Sequence, residues 1–468
     1  MSEATIESPL AKLTDEQIEQ LGKTFDAMHD EIYDDLGERD RKYIVSMIEM
    51  HRRLAVIGRV LLLASRYKPF WAAGTASLSA AKILENMEIG HNVMHGQWDW
   101  MNDPQIHSSN WDWDTASTKE AWKHSHNYIH HTYTNIRGKD KDLGYEIMRI
   151  DPHQPWNPVY LLQPVYNVLL MLLFEWGVAF HDLDFDAIRS GEKSKEKVIK
   201  ELKGIAGKAR LQIQKDYVAW PLLSGLAMAA LDLALNARRI RAGRKSGRLG
   251  KVRGRLGRLR IRRDERRRML DEAVALVATR GVRAYRSTLV ANMAANVIRN
   301  VWAHAIIFCG HFPDQTYTFS QDEVEDESRG AWYVRQLVGA ANIEGGAFFH
   351  VASGNLGYQV EHHLFPDMPS TRYAEIAPRV KAICEEYGLP YNGGRLGKQW
   401  GMVQRTILRL AFPGGKPRPK PGPYQGGDGA EQSSNGSGRF ARPGPDGSGP
   451  EQRDEGVRVS MPGEREED

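Results

Sequence analysis

Three short runs concentrate imidazole: His91-Asn92-Val93-Met94-His95, His126-Asn127-Tyr128-Ile129-His130-His131 and Gln359-Val360-Glu361-His362-His363. Imidazole is a neutral nitrogen donor suited to iron, zinc, copper or nickel, so metal chemistry is what this concentration could perform. On a helix four residues advance about 400°, which puts His91 and His95 on one face and His126 and His130 on another, while His131 points elsewhere on the same turn, within reach of a neighbouring ion. One such pair carries little weight, because two surface histidines at that spacing are unremarkable. Seven histidines in three clusters, joined by His311 with His304 as a further candidate, exceed what a single ion takes.

A zinc hydrolase is a poor match. The H-E-x-x-H helix is absent, since Asn92 and Asn127 hold its second position, and three protein ligands would leave most of the imidazoles unused. The surplus favours a dinuclear redox site.

The elements that must position these residues are mainly helical and partly apolar. His91 follows a small, apolar stretch from Phe70 toward Ile89, which can span a bilayer only if Lys82, Glu85 and Glu88 face protein. Residues 57–65 are too short to cross unaided. Further candidate spans are 159–180, interrupted by Gln163, Asn167 and Glu175, and 217–235, which ends against an arginine-rich run. In 289–310, Asn292, Asn296, Arg299, Asn300 and His304 gather on part of a helix, which would therefore face a site or another helix. A mean hydropathy of −0.51 argues against a protein buried mainly in lipid but allows a few spans with a large cytosolic part.

Composition sets other bounds. Residues 238–268 hold sixteen Arg or Lys against two acids, so the net charge of +4 hides a basic segment on an acidic remainder. Such a run can touch anionic lipid or a partner, or be a solvated insertion; it is no evidence of a nucleic-acid fold, and no nucleic-acid partner is expected. Cys309 and Cys384 could form one bridge at most, which suits a reducing, cytosol-facing environment. The polar, acidic amino terminus does not read as a cleavable signal peptide. Residues 1–50 fit one or two surface helices, and the Gly, Pro and Ser content of 414–468 predicts a disordered tail.

The three runs resemble, in order, the histidine boxes of the membrane fatty acid desaturase family. Within it, "HHTYTNIRGKDKDLGY", "NVIRNVWAHAIIFCGHFPD" and "NLGYQVEHHLFPDMPSTRYAEIAPRVKAICEEYGLPYN" are most similar to the actinobacterial acyl-CoA Δ9 (stearoyl-CoA) desaturases. The resemblance covers roughly residues 40–235 and 285–413. It implies an all-α, multi-span membrane protein with a cytosolic helical cap holding a dinuclear metal site. The desaturase domain would occupy 51–413, interrupted by the basic insertion 238–268. Two non-haem irons would be the cofactors and O2 the co-substrate. His91, His95, His126, His130, His131, His311, His362 and His363 would be the iron ligands. Gln359 stands where many relatives have histidine, and with His304 is an additional candidate. Glu361, Asp140 and Asp142 could orient imidazoles through the far ring nitrogen, though each is equally readable as a solvated acid or helix cap.

The implied reaction places a cis Δ9 double bond in a saturated long-chain fatty acyl-CoA, an oxidoreductase of the EC 1.14.19 class. A lipid hydroxylase is the alternative enzyme, and a membrane-anchored metal-binding or assembly protein the non-enzymatic one. The chain has no haem domain, cysteine-rich iron–sulfur pattern or dinucleotide fingerprint, so a separate reductase, ferredoxin or flavin/iron–sulfur oxidoreductase, must supply electrons. Membrane lipid is the surrounding partner, and the location expected is the inner (cytoplasmic) membrane, multi-pass, with the site facing the cytosol. Arg137, Lys139 and Lys141 could meet the CoA phosphates or serve as ordinary surface cations. The segment 238–268 departs from the family pattern, as either an acquired cytosolic loop or a shifted reading frame.

Overall fold

The computed structural model describes residues 9–245 and 255–414. Residues 246–254, at the centre of the basic segment, and the tail 415–468 lie outside the described residues. The chain divides into two compact units. One comprises the described residues up to Ile48, Ile83–Ile205 and those from Asn300 onward; the other comprises Glu49–Lys82 and Ala206–Arg299.

All candidate ligands belong to the first unit. Its amino-terminal helix α1 (Asp15–Asp34) starts in a capping box: the Gln17 amide donates to Thr14 Oγ1 at 3.3 Å, and the Thr14 amide to Gln17 Oε1 at 2.9 Å. Leu21, Phe25, Met28 and Ile32 recur at helical spacing and are buried. α1 is thus a surface helix, as its charge suggested, with one face in the core. It packs on α9 (Arg329–Gly339), whose Trp332, Tyr333 and Leu337 share that core with Val360, Leu364 and Phe365. Burying each large side chain contributes roughly 1.5–3 kcal/mol. Gly330 is required here, because a Cβ would lie 1.9 Å from the carbonyl oxygen of Ile18.

Two short strands, β1 (Asn342–Glu344) and β2 (Gly393–Arg395), pair in parallel, Asn342 opposite Gly393, as the one small exception to an all-helical architecture among the described residues. The expected span 159–180 is not one straight helix. Helices Pro158–Leu172 and Phe174–Ser190 meet at 105° around Leu173, an apolar run broken where no proline announces it.

The second unit contains the end of α2 (Glu38–Leu62), α3 (Lys68–Ile83), α7 (Trp220–Lys245) and most of α8 (Arg255–His311). The 217–235 candidate falls in a helical run, Lys195–Leu235, that is long and apolar enough to cross a bilayer; among the described residues it is the one helix to qualify, with the bent pair a second if counted as one span. The multi-span architecture implied by resemblance is therefore not fully visible by length and composition among the described residues. The basic segment is not a loop throughout: α7 continues to Lys245 and α8 resumes at Arg255, as Arg, Lys and Leu are good helix formers.

Candidate metal centre

The first histidine run begins on the last residue of a π-wound helix, Leu84–His91, and most of the second lies on another, Lys123–His130, rather than on the uniform α-helix their spacing suggests. Such turns are rare and recur at functional sites. Winding returns to α at His91, whose carbonyl accepts from the His95 amide at 3.1 Å, so this pair keeps the expected shared face. His126 and His130 remain neighbours, ring centroids 5.1 Å apart; beyond a group they share with Asp142, they contribute to different imidazole sets. His311 is the last residue of α8, and His362 and His363 occupy the short helix Gln359–Leu364.

The third run is held against the first by a close approach. Asn92 Nδ2 donates to the Gly354 carbonyl at 3.2 Å, and a Cβ on Gly354 would stand 2.3 Å from the Met87 carbonyl oxygen. Gly354 has φ +70° and the next residue, Asn355, φ +56°, so two left-handed residues turn the chain into the third run.

Donor atoms of His91, His95, His126 and His362 all lie within 4.8 Å of one another, and those of His130, His311 and His363 form a second such group. His131 stands where the groups meet, its ring 4.7 Å from His95, 4.9 Å from His362 and 4.6 Å from His363. The Nε2 atoms of His95, His126, His130 and His362, and both ring nitrogens of His131, are buried without a hydrogen-bond partner. Orphaned buried nitrogens are costly unless something else satisfies them, and a pair of metal ions fits that need.

The outer nitrogens are anchored. His130 Nδ1 donates to Asp140 at 3.0 Å and His126 Nδ1 to Asp142 at 3.3 Å. His91 Nδ1 donates to Asn92 Oδ1 at 3.1 Å, His362 Nδ1 to the Tyr373 hydroxyl at 3.2 Å, and His363 Nδ1 to Gln336 Oε1 at 3.1 Å. Each bond fixes a tautomer that leaves Nε2 as the free donor. Gln336 also donates to the His131 carbonyl at 2.9 Å, and Arg335 donates to the Thr132 and Thr134 carbonyls at 2.8 and 2.9 Å, capping the end of the second run.

Burial, with His126 beside it, pushes His91 down to about 3. Burial and then the neighbouring imidazoles hold His95, His131, His362 and His363 well below the ordinary value. For His130 burial is outweighed by Asp140 and Asp142, and its pKa rises. For Asp142 burial is outweighed by His130, His126 and His181, and its pKa falls well below the carboxylate range. Most of these imidazoles are therefore neutral near pH 7, as metal binding requires.

The other candidates divide. Gln359 reaches the cluster, its amide 3.1 Å from His311 Nε2. His304 does not join either donor set: it stacks on Phe308 at 3.8 Å with Phe174 and Trp400 around it, about two helical turns short of His311. Glu361 makes no hydrogen bond to an imidazole; it accepts from the Tyr391 hydroxyl at 2.5 Å and Asn342 at 2.8 Å, because its neighbour His362 takes the inward face of the same turn. Arg137 lies 3.5 Å from Asp151 and Lys141 pairs with Asp184, while Lys139 lies over the Tyr133 ring. Gln336, Tyr373 and His181 carry no motif and were not legible beforehand.

A cavity opens beside the first donor set. His91, His126 and Asp142 line it together with Met87, Trp113, Trp122, Phe174, Val178 and Ile307. The tryptophan-rich loop 111–114 thus reaches the site's edge, Trp113 packing at 5.1 Å on Trp122.

Comparison with known proteins agrees with this geometry. A profile of the fatty acid desaturase family matches residues 215–395. An NADPH-dependent stearoyl-CoA 9-desaturase of Mycobacterium tuberculosis is 41% identical over 403 residues, covering 86% of this chain and 82% of the relative. Shorter matches include fatty acid desaturase 3 of Homo sapiens, 35% identical over 21% of each chain, and the fatty acid desaturase 2-like protein FADS2B of Mus musculus, 33% identical over 24% of this chain and 22% of the relative. No solved structure matches. With likeness to the mycobacterial enzyme running through nearly the whole described chain and all three histidine runs, the protein belongs to the fatty acid desaturase family.

Proposed function

We propose that the protein is an O2-dependent diiron desaturase that introduces a cis Δ9 double bond into a saturated long-chain fatty acyl-CoA. The observation that carries this reading is the pair of buried imidazole sets meeting at His131 beside a cavity with one apolar wall. His91, His95, His126 and His362 would hold one iron and His130, His311 and His363 the other, with His131 able to serve at their junction. Gln359 is a further donor toward the second set.

The chemistry such a pair supplies when bound is reduction of O2 and removal of two hydrogens from adjacent methylenes, with two external electrons and two protons completing two waters. The chain's own share is geometric. Asp140, Asp142, Tyr373 and Gln336 keep the imidazoles in the binding tautomer. Met87, Phe174, Val178 and Ile307 offer an apolar wall along which a methylene pair can lie near His91 and His126, and Trp113 and Trp122 help exclude water. The CoA linkage and the position of the double bond rest on the similarity to the mycobacterial enzyme. That relative's NADPH dependence supports electron delivery by a separate NADPH-fed reductase.

A multi-span location in the cytoplasmic membrane, with the site and residues 238–268 on the cytosolic side, is supported by the arginine excess and by the second unit's buried ion pairs beneath exposed leucines.

The test supplies stearoyl-CoA and its lipid-linked counterpart to the iron-loaded full chain with O2, NADPH and a reductase, and maps products by mass spectrometry. A Δ9-unsaturated acyl-CoA is expected. A hydroxylated product would indicate the hydroxylase, turnover of the lipid-linked chain alone would reject the acyl-CoA substrate, and no oxidised product despite full iron and demonstrated electron flow would reject the enzyme reading.

A further inference from the structure

The carboxylate of Asp142 is shared. Its Oδ2 accepts from His126 Nδ1 at 3.3 Å, and its Oδ1 accepts from Nε2 of His181 at 3.0 Å. His181 ends the helix Phe174–His181, outside every histidine run, and its side chain is 6% exposed. The other side of its ring is also enclosed. Glu146 places a carboxylate oxygen 3.8 Å from His181 Nδ1, and the Tyr145 ring packs 5.2 Å away. These two residues get there through an unusual backbone: Gly144, Tyr145 and Glu146 have φ of +71°, +53° and +59° in succession. Two consecutive non-glycine residues in the left-handed region store strain, which persists only where the surroundings impose it.

Asp142 has another arrangement open to it. Its Oδ2 also lies 3.8 Å from His130 Nδ1, so one carboxylate faces the outer nitrogens of an imidazole from each donor set and could turn from one to the other. Asp140, by contrast, is tied down twice by backbone, accepting from the Asn135 amide at 2.7 Å and the Asp142 amide at 3.0 Å while it holds His130. The carboxylate beside His126 is held instead by a side chain from a distant helix.

We propose that His181 is a positioning residue for the metal centre: by holding Asp142 Oδ1 it keeps that carboxylate turned to the outer nitrogen of His126 as its orienting partner. The strained turn at 144–146 is the clamp that keeps His181 itself in place. This rests on the diiron reading above.

The test uses detergent-solubilised full-length protein loaded with 57Fe. Chelator competition gives the affinity of each iron, and Mössbauer spectroscopy gives its environment. His181→Ala should weaken one iron about 10–100-fold and change one of the two spectral components, leaving the other unchanged. Asp142→Ala should weaken the same iron, and adding His181→Ala to it should have no further effect on that iron, since His181 acts only through Asp142. Should His181→Ala not fold, Glu146→Gln should shift the same component in the same direction by less. Unchanged iron affinity and spectra in His181→Ala, or in Glu146→Gln where that variant stands in, would overturn the inference while leaving the diiron reading intact; so would full additivity with Asp142→Ala. A wild type that takes up no iron would overturn both.

Discussion

In the first unit the buried imidazoles share the interior with apolar side chains such as Phe25, Phe308, Leu337 and Phe365. Within residues 49–82 and 206–299 acids are buried beneath exposed apolar side chains: Asp216 and Asp232 are 0% and 1% exposed, whereas Val60 and Leu226 are 59% and 57% exposed. The buried acids are matched, Asp216 by Arg59 at 2.7 Å and Lys82 at 2.8 Å, and Asp232 by Arg66 and Arg280, each at 2.9 Å. Helices there approach through small residues, a Cβ at Gly225 falling 3.0 Å from the Gly281 carbonyl oxygen. The first unit buries the histidine cluster besides ion pairs such as Arg372–Asp40 at 2.8 Å; the second buries ion pairs between helices that expose apolar side chains. Such exposed apolar faces over internal ion pairs are what the membrane location proposed above requires.

The contrast can be broken at its chemical end first. His130→Ala removes a donor of the second set together with the anchor point of Asp140. Turnover should fall below detection and iron content should drop, with overall helicity retained, as metal analysis and circular dichroism would show. His29→Ala should leave both iron and turnover intact.

At the other end, Asp216→Ala leaves Arg59 and Lys82 buried around a missing partner. A loss of about 3–5 kcal/mol is expected, because breaking a buried ion pair strands its charges. Thermal inactivation in detergent measures it. Iron per folded molecule should stay at the wild-type value; a selective loss of iron would show that the division of labour is wrong.

Gly354→Ala should cost about 1–3 kcal/mol, from a left-handed φ and a Cβ pressed on Met87, and it strikes where the third run meets the first. Here iron affinity should weaken as well, which distinguishes it from Asp216→Ala.

The smallest effect concerns His29, whose Nε2 lies 3.2 Å from Asp367. Burial lowers its pKa, but Asp367 and Asp30 outweigh burial and the net shift is upward. The pair's stabilisation is therefore fully present below the unfolded value near 6.5 and is lost as pH rises through the higher folded value. His29→Ala should destabilise by at most about 1 kcal/mol at pH 6 and by less at pH 9, read from melting temperature against pH.

Much of the candidate site was legible because seven of the chain's sixteen histidines fall in three short runs and the chemistry of imidazole does not depend on winding. His311 could be picked out although it lies far from the runs, and Asp140 and Asp142 reach imidazoles as expected. Winding itself was not legible: an i, i+4 pair reads as α, and nothing in Lys123–His130 announces a π-turn. Glu361 misled because adjacency in sequence is not adjacency on a helix, where its neighbour faces inward and it faces Tyr391. His304 misled because an apolar helix that ends in one candidate ligand need not carry another. His181, Gln336 and Tyr373 act through tertiary contacts, which no local pattern encodes. The inverted interior of the second unit was only partly visible, as lysine, arginine and aspartate scattered through apolar stretches.

The central claim is that two imidazole sets hold two irons. Metal analysis of the intact, purified chain after controlled iron supply, combined with Mössbauer spectroscopy, tests it most directly. About two irons per chain, magnetically coupled, is the predicted result; one zinc and no iron, or a single isolated iron at saturation, would contradict it.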